Sequence, residues 1–253
     1  MTRHTTSVQT VDRWLRLEGT ENVRDVGGLP VTGAKSTKSG VLLRSANLRM
    51  LTAGDVEQLI EKVGLRTVID LRTPREVDRD GPSALARAGV RTVELSLISD
   101  GMAPLPLTEA DPLLREYLGY LSHRGEQVVE AVRVLAEPDA GPTLVHCAAG
   151  KDRTGVLVAL VLDAVGVERQ AVVADYGMSA EAIPAMFDRW RAHAVAEGYD
   201  PDPVDIQRHM PRPAVLAEVM RTLDRRHDGA AGWLREGGLE EPSLERLRDR
   251  LVA

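Results

Sequence analysis

Apolar positions along the chain follow two distinct periods. Val56, Leu59, Ile60 and Val63 recur at helical spacing behind Thr52 and Asp55, an N-cap residue and a first-turn acid. That pattern predicts a helix from Thr52 to about Val63. Short β-branched runs bounded by turn residues predict strands over 67–71, 90–95 and 143–147, and Val41-Leu42-Leu43-Arg44 is a further short strand candidate. Val128, Val129, Val132 and Leu135 predict a helix between the last two strands, and the almost wholly apolar stretch 156–165 predicts a buried one. Strands alternating with helices imply an α/β fold: a central, mostly parallel sheet covered on both faces, in three α/β/α layers.

The remaining pattern sets the boundaries. Residues 1–12 are polar and aperiodic and read as a disordered tail, leaving 13–253 as one domain. The segment from Asn22 to Leu29 contains Gly27-Gly28 and reads as a turn. After Gly166 the composition shifts. Ile183, Met186, Phe187 and Trp190 keep helical spacing, then Tyr199-Asp200-Pro201-Asp202-Pro203 is rich in turn residues. Two amphipathic helices close the chain as a helical C-terminal elaboration, one on Val215, Leu216, Val219, Met220 and Leu223, the other on Leu244, Leu247 and Leu251.

Composition removes several classes of function. The 253 residues carry a formal net charge of −6, which argues against a nucleic-acid partner, and only 3% are aromatic, so platforms for base stacking are scarce. One cysteine excludes an intrachain disulfide and a Cys-rich zinc site. No apolar run approaches the ~20 residues of a membrane span. The first residues lack the apolar core of a secretory leader, so a cytoplasmic location is expected. No His/Asp/Glu set has metal-ligand spacing, so neither metal nor cofactor is expected; oligomeric state is not readable.

The one cysteine lies in the most informative segment, His146-Cys147-Ala148-Ala149-Gly150-Lys151-Asp152-Arg153-Thr154-Gly155, between a predicted strand and a predicted helix starting near Thr154. A loop of small residues can curl until its N–H groups converge on an anion. The helix adds its positive end. Arg153 can offer two parallel donors to phosphate oxygens. A thiol in that company should ionise readily, and the same donors would hold a phosphoryl group in line for attack. Thr154 can donate to the sulfur and help it leave in the hydrolytic step.

Rival readings fit less well. An isolated cysteine is most often a small buried hydrophobe, yet Arg at +6, a hydroxyl at +7 and glycines at +3 and +8 are not explained by packing. A nucleotide-binding P-loop would need glycine where Val145 stands and Ser or Thr where Asp152 stands. A non-catalytic phosphate-binding module would normally have lost the cysteine or the arginine. Sulfur transfer by a rhodanese-like domain also uses a loop cysteine, but Arg153-Thr154 suits phosphoryl chemistry better.

With these residues in view, the loop resembles the signature of cysteine-dependent protein tyrosine and dual-specificity phosphatases. Its form is similar to that of bacterial atypical tyrosine phosphatases, a group that includes phosphoinositide phosphatases. Asn22-Val23-Arg24-Asp25-Val26-Gly27-Gly28, Leu43-Arg44-Ser45-Ala46 and Ile69-Asp70-Leu71-Arg72 extend the resemblance, as do Trp233-Leu234, Gly238-Leu239 and 244–251. It spans nearly the whole chain and is weakest between Asp175 and Arg212.

The resemblance implies a tyrosine-phosphatase-like fold and hydrolysis of phosphate monoesters through a phosphocysteine. Cys147 is the implied nucleophile and Arg153 the phosphate clamp, with Ala148, Ala149, Gly150, Lys151, Asp152 and Thr154 completing the binding loop. His146 would brace the loop backbone. Lys151 either favours highly anionic substrates or is a solvated surface lysine. The Trp-Pro-Asp signature of a mobile acid loop is absent, so the general acid is sought among Asp152, Asp70 and Asp100, in that order. Arg44 and Arg72 could widen a positive bowl, but pairing with Asp25 or Asp70 to pin the loop is the stronger expectation. Residues 176–212 are a candidate helical lid by analogy with some family members, with ordinary core packing as the other reading. The substrate is expected to be protein phosphotyrosine, with phosphoserine and phosphothreonine as further targets. The alternative is a small anionic ester such as a phosphoinositide, sugar phosphate or nucleotide-like metabolite.

Overall fold

The computed structural model describes residues 12–99 and 111–253. Asp100 and residues 1–11 of the expected tail lie outside the described residues. Among the described residues seven strands occur in chain order: β1 (Arg24–Asp25), β2 (Pro30–Val31), β3 (Lys35–Ser36), β4 (Leu42–Ser45), β5 (Thr67–Asp70), β6 (Arg91–Glu94) and β7 (Thr143–His146). β2 and β3 form a small separate ribbon. The other five make one sheet in the order β1-β4-β7-β5-β6, parallel throughout except for β1, which is antiparallel to β4. The four strands expected from the sequence are therefore its parallel part. β1 lies inside the segment read as a turn; two residues are too few to show a period.

Alternation along the strands shows why helices cover both faces. Leu42, Ile69 and Val145 enter one apolar cluster, whereas their neighbours Leu43, Val68 and Leu144 enter another. Successive strand side chains point to opposite faces, so strands this short that are apolar at both positions must be buried on both. The second cluster is closed by α1 (Ala53–Glu57), its π-helical continuation Gln58–Lys62, and α3 (Ala84–Arg87). Thr52 caps α1 in a reciprocal capping box with Asp55, as the spacing predicts. Between these helices, α2 (Pro74–Asp80) follows β5.

The first cluster is larger. It holds α4 (Pro112–His123), α5 (Gly125–Ala136), α6 (Asp152–Ala164) and α7 (Arg169–Gly177). α8 (Ile183–Ala196) packs through Ile183 and Met186 against Ala46 in a small third cluster. α9 (Pro213–His227), α10 (Gly229–Glu236) and α11 (Glu241–Leu251) complete the elaboration. α10 separates the two closing helices expected from the sequence; its eight residues bury only Ala230 and Leu234 fully, a weak periodic signal. α6 is buried from Arg153 to Leu162, so it runs through the interior.

The topology concentrates functional groups at one edge. β7 is central, with β4 and β5 parallel on either side, and Ser45, His146 and Asp70 are level in register at the strands' C-terminal ends. The crevice beyond the carboxyl ends of parallel strands is where open α/β sheets bind ligands. The loop from Cys147 to Lys151 leaves β7 at that place and feeds α6.

Candidate active site

The loop after His146 is shaped by what grips its carbonyls. Ala148 O accepts from Asn47 N–H at 3.0 Å, Ala149 O from Asn22 Nδ2 at 3.0 Å, and Gly150 O from Arg44 Nη2 at 2.8 Å. In a trans peptide the carbonyl and the next N–H point in opposite directions. Three carbonyls drawn outward therefore turn the N–H groups of Ala149, Gly150 and Lys151 inward. Among the described residues, no backbone or side-chain acceptor takes the N–H groups of 148–153. Convergent free donors at the start of a thirteen-residue helix form an anion nest.

Gly150 is required twice over. Its φ is +64°, and a Cβ there would lie 2.2 Å from the Ser45 carbonyl oxygen. A Cβ on Gly155 would meet the Tyr176 ring at 2.8 Å. α6 begins at Asp152, two residues earlier than Thr154, so Asp152 and Arg153 belong to its first turn and are aimed by the helix itself.

Cys147 is 2% exposed at the base of this cup. Arg153 is held beside it by Glu76 of α2, with Nη1 2.6 Å from Oε2 and Nη2 2.9 Å from Oε1. Burial disfavours the charged guanidinium, but the Glu76 hydrogen bonds and the nearby Cys147 outweigh it, and Arg153 is held charged above its usual range. Burial likewise opposes ionisation of Glu76, yet Arg153 and the backbone of Thr73 bring it down to about 2. Glu76 escaped the sequence reading. Thr73-Pro74-Arg75-Glu76 carries a capping-box signature that locates the helix start, but nothing local says that this carboxylate reaches Arg153. One residue further on, Thr154 Oγ1 is buried without a hydrogen-bond partner among the described residues, so its hydroxyl is uncommitted by them.

The acidic candidates separate clearly. Asp70 is buried, accepts from Arg72 Nε at 3.0 Å and Nη2 at 2.6 Å, and faces His146 Nε2 at 3.5 Å. Burial would raise its pKa, but His146 and Arg72 pull it below the ordinary carboxylate range. His146 is pushed down by burial, and its Nδ1 lies 3.3 Å from Cys147 O. Asp152, by contrast, is partly exposed at the loop, accepting from Tyr117 Oη at 2.5 Å.

The two flanking arginines differ in their partners. Arg72 pairs with Asp70 as expected, and also with Asp80 at 3.0 Å. Arg44 pairs instead with Asp175 of α7, at 2.7 Å, not with Asp25 or Asp70. Asp25 is turned away to accept from Gly27 N and Gly40 N. Asp175 also binds Arg13 and Arg24, so three guanidiniums share one buried carboxylate beneath the loop. Burial opposes its ionisation, but Arg24, Arg44 and Arg13 hold its pKa far below the usual range, and burial lowers Arg24 to about 9.

Lys151 is not the solvated surface lysine that was one of its two expected readings. It is 6% exposed, and its Nζ donates to the His209 carbonyl at 2.6 Å. Beside the cup lies a cleft of about 410 Å³, whose floor includes Ala46 and Ala148 and whose far wall is Arg189, Trp190, His193 and Glu197 of the 183–197 region. Its charges are largely matched across the opening: Arg189 pairs with Glu21, and Arg49 Nη2 is 3.7 Å from Glu197 Oε1.

A strand-to-helix cup with a cysteine at its base and a braced arginine beside it has the donors and the positive charge to hold an anion. Residues 15–253 match the family described as Tyrosine phosphatase family, and the chain belongs to it. A tyrosine-protein phosphatase of Nostoc commune is 30% identical over 88% of this chain and 78% of its own length. The triple specificity protein phosphatase PtpB of Mycobacterium tuberculosis is 29% identical over 93% of this chain and 98% of its own. The solved core catalytic domain of the PP-IP phosphatase SIW14 from S. cerevisiae covers 74% of this chain and 98% of that one, at 18% identity and a TM-score of 0.41. The chain is a cysteine-dependent phosphatase that hydrolyses phosphate monoesters. Among the described residues no helix is long and apolar enough to cross a membrane.

Proposed function

We propose that Cys147 is the nucleophile, that its thiolate attacks phosphorus, and that protein phosphotyrosine is the preferred substrate, with phosphoserine and phosphothreonine as further targets. The observation that carries this is the outward grip on three consecutive loop carbonyls, which leaves the opposite N–H groups and the Glu76-braced Arg153 to hold the phosphoryl oxygens. Ala148, Ala149, Gly150, Lys151, Asp152, Arg153 and Thr154 form the binding loop, Ala148 to Lys151 mainly through backbone. The Sγ–P bond forms as the ester P–O bond breaks, and Asp152 supplies the proton the leaving oxygen needs. Water then attacks phosphorus, Asp152 takes its proton, and the departing thiolate accepts the Thr154 hydroxyl bond. Asp70, with its oxygens engaged by Arg72 and facing His146, is assigned a bracing role in place of the acid role.

The substrate preference rests on charge. Lys151 is committed to His209, and the cleft wall matches its arginines with carboxylates, so the described residues offer no basic surplus of the kind a polyanion needs. One domain over 13–253 carries the site, with the helical region 176–212 as its lid. A nucleophile with no disulfide partner in its chain suits a reducing compartment, the cytoplasm.

The test is a kcat/KM comparison across phosphotyrosine peptides, phosphoserine and phosphothreonine peptides, phosphoinositides and metabolite phosphates. Phosphotyrosine peptides should rank first, and Cys147→Ser should abolish turnover of all of them. A polyanion at the top would replace the substrate reading with the small-ester alternative. Turnover by Cys147→Ser would overturn the chemistry.

A further inference from the structure

Two buried tyrosines stand behind Asp152. Tyr117 of α4 is fully buried, and its hydroxyl lies 2.5 Å from Asp152 Oδ1 and 2.7 Å from the Tyr176 hydroxyl. Tyr176 of α7 is equally buried, and its oxygen accepts the backbone N–H of Arg212 at 3.1 Å. The rings meet edge to face at an interplanar angle of 82°, in space that Gly155 leaves open. Arg212 is tied back to α4, donating from Nη1 to its N-cap Asp111 at 3.0 Å. Buried phenols need partners for their hydroxyls, but this chain of bonds ends on a side chain of the reaction loop.

Proton counting gives the chain a direction. A backbone N–H can only donate, so Tyr176 Oη accepts from Arg212. A hydroxyl has one proton. If Tyr176 donates to Tyr117, then Tyr117 donates to Asp152 Oδ1 and every group is satisfied. The reverse arrangement would place the Asp152 proton on Oδ1, turn Tyr117 toward Tyr176, and leave the Tyr176 proton without an acceptor among the described residues. Lys151 Nζ, 3.5 Å from the same Oδ1, disfavours a proton there as well. Oδ2 has no hydrogen-bond partner among the described residues.

We infer that Tyr117, backed by Tyr176, reserves Oδ1 of Asp152 as an acceptor and so places the acidic proton on Oδ2, the oxygen left to face the leaving group. Tyr117 and Tyr176 are positioning residues for leaving-group protonation. As the Cys147 Sγ–P bond forms and the ester P–O bond breaks, the Oδ2 proton passes to the departing oxygen. Asp152 becomes a carboxylate with its Tyr117 bond already made, and no proton moves along the tyrosines. Burial and the facing Asp152 keep the Tyr117 phenol protonated far above its ordinary range.

This inference rests on Asp152 as general acid, and its test separates the two. kcat/KM reports the first chemical step and is compared for phenyl phosphate, a poor leaving group, and 4-nitrophenyl phosphate, a good one. Tyr117→Phe should lower the phenyl phosphate value by about tenfold and the nitrophenyl value by less than about threefold, a fraction of the ~100-fold or more that general acids contribute. In an Asp152→Asn background the same change should add almost nothing, because the two act as one unit. Tyr176→Phe should give a smaller loss with the same selectivity. Equal losses on both substrates for Tyr117→Phe, or full additivity with Asp152→Asn, would overturn the inference alone. An Asp152→Asn enzyme with no leaving-group selectivity would overturn the acid assignment and the inference with it.

Discussion

Arg153 and Glu76 face one another in a two-pronged ion pair, at 2.6 and 2.9 Å, although 77 residues separate them in the chain. Glu76 serves two masters: its Oε2 also accepts from Thr73 N–H at 2.7 Å, closing the capping box of α2. The guanidinium proposed as the phosphate clamp is thus anchored to a helix end before any ligand arrives, the kind of preorganisation that phosphoryl transfer rewards.

Removing that anchor should loosen the clamp. Glu76→Ala is expected to lower kcat/KM for a phosphotyrosine peptide by on the order of 10- to 100-fold, the cost of misplacing a reacting group by about an ångström. Steady-state kinetics beside thermal unfolding check it. Wild-type kcat/KM in a folded variant would show that Arg153 needs no brace.

The same residue predicts acid sensitivity. Its folded pKa is depressed from 4.5 to about 2, so its contribution to stability is fully present above the unfolded value and is lost as pH falls through the folded one. Urea midpoints should decline across that window, and Glu76→Gln, which has no charge to lose, should flatten part of the decline. Identical slopes for the two proteins would contradict the assignment.

Gly150 should tolerate no side chain. Gly150→Ala adds left-handed strain, about 1–3 kcal/mol, to a collision with the Ser45 carbonyl at 2.2 Å. Gly33, with φ of +87° and open space around it, supplies the comparison. Gly33→Ala should cost only about 1 kcal/mol by denaturant titration and leave turnover intact, whereas Gly150→Ala should lose most activity.

Asp175 neutralises three arginines at once. Asp175→Asn would leave Arg13, Arg24 and Arg44 without their shared counter-charge, and breaking a buried pair costs about 3–5 kcal/mol. Because Arg44 also holds Gly150 O, the loss should reach the active loop, seen as weaker vanadate binding in whatever fraction remains folded. A fully stable Asp175→Asn protein would show that the arginines find other partners.

Since the cup provides its own positive charge, turnover of an aryl phosphate should persist in excess chelator. A rate that disappears with EDTA and returns with added divalent ion would rule out the mechanism as drawn.

Short-range information carried much of this protein. The ten residues from His146 to Gly155 declared a strand-loop-helix junction, and short apolar runs located the parallel strands, because backbone preference and side-chain period act over a few residues. The partners of long polar side chains were decided by the tertiary structure alone. Arg44 meets Asp175 and not Asp25 because α7 packs beneath the loop while Asp25 is taken by two backbone N–H groups. Arg153 meets Glu76 because β5 lies beside β7 and delivers α2 to the rim of the cup. Tyr117 and Tyr176 carry no local mark of function. Tyr117 reaches Asp152, and Tyr176 reaches Tyr117, only because α4, α6 and α7 share one core, and which helices share a core is settled by the packing of the whole chain.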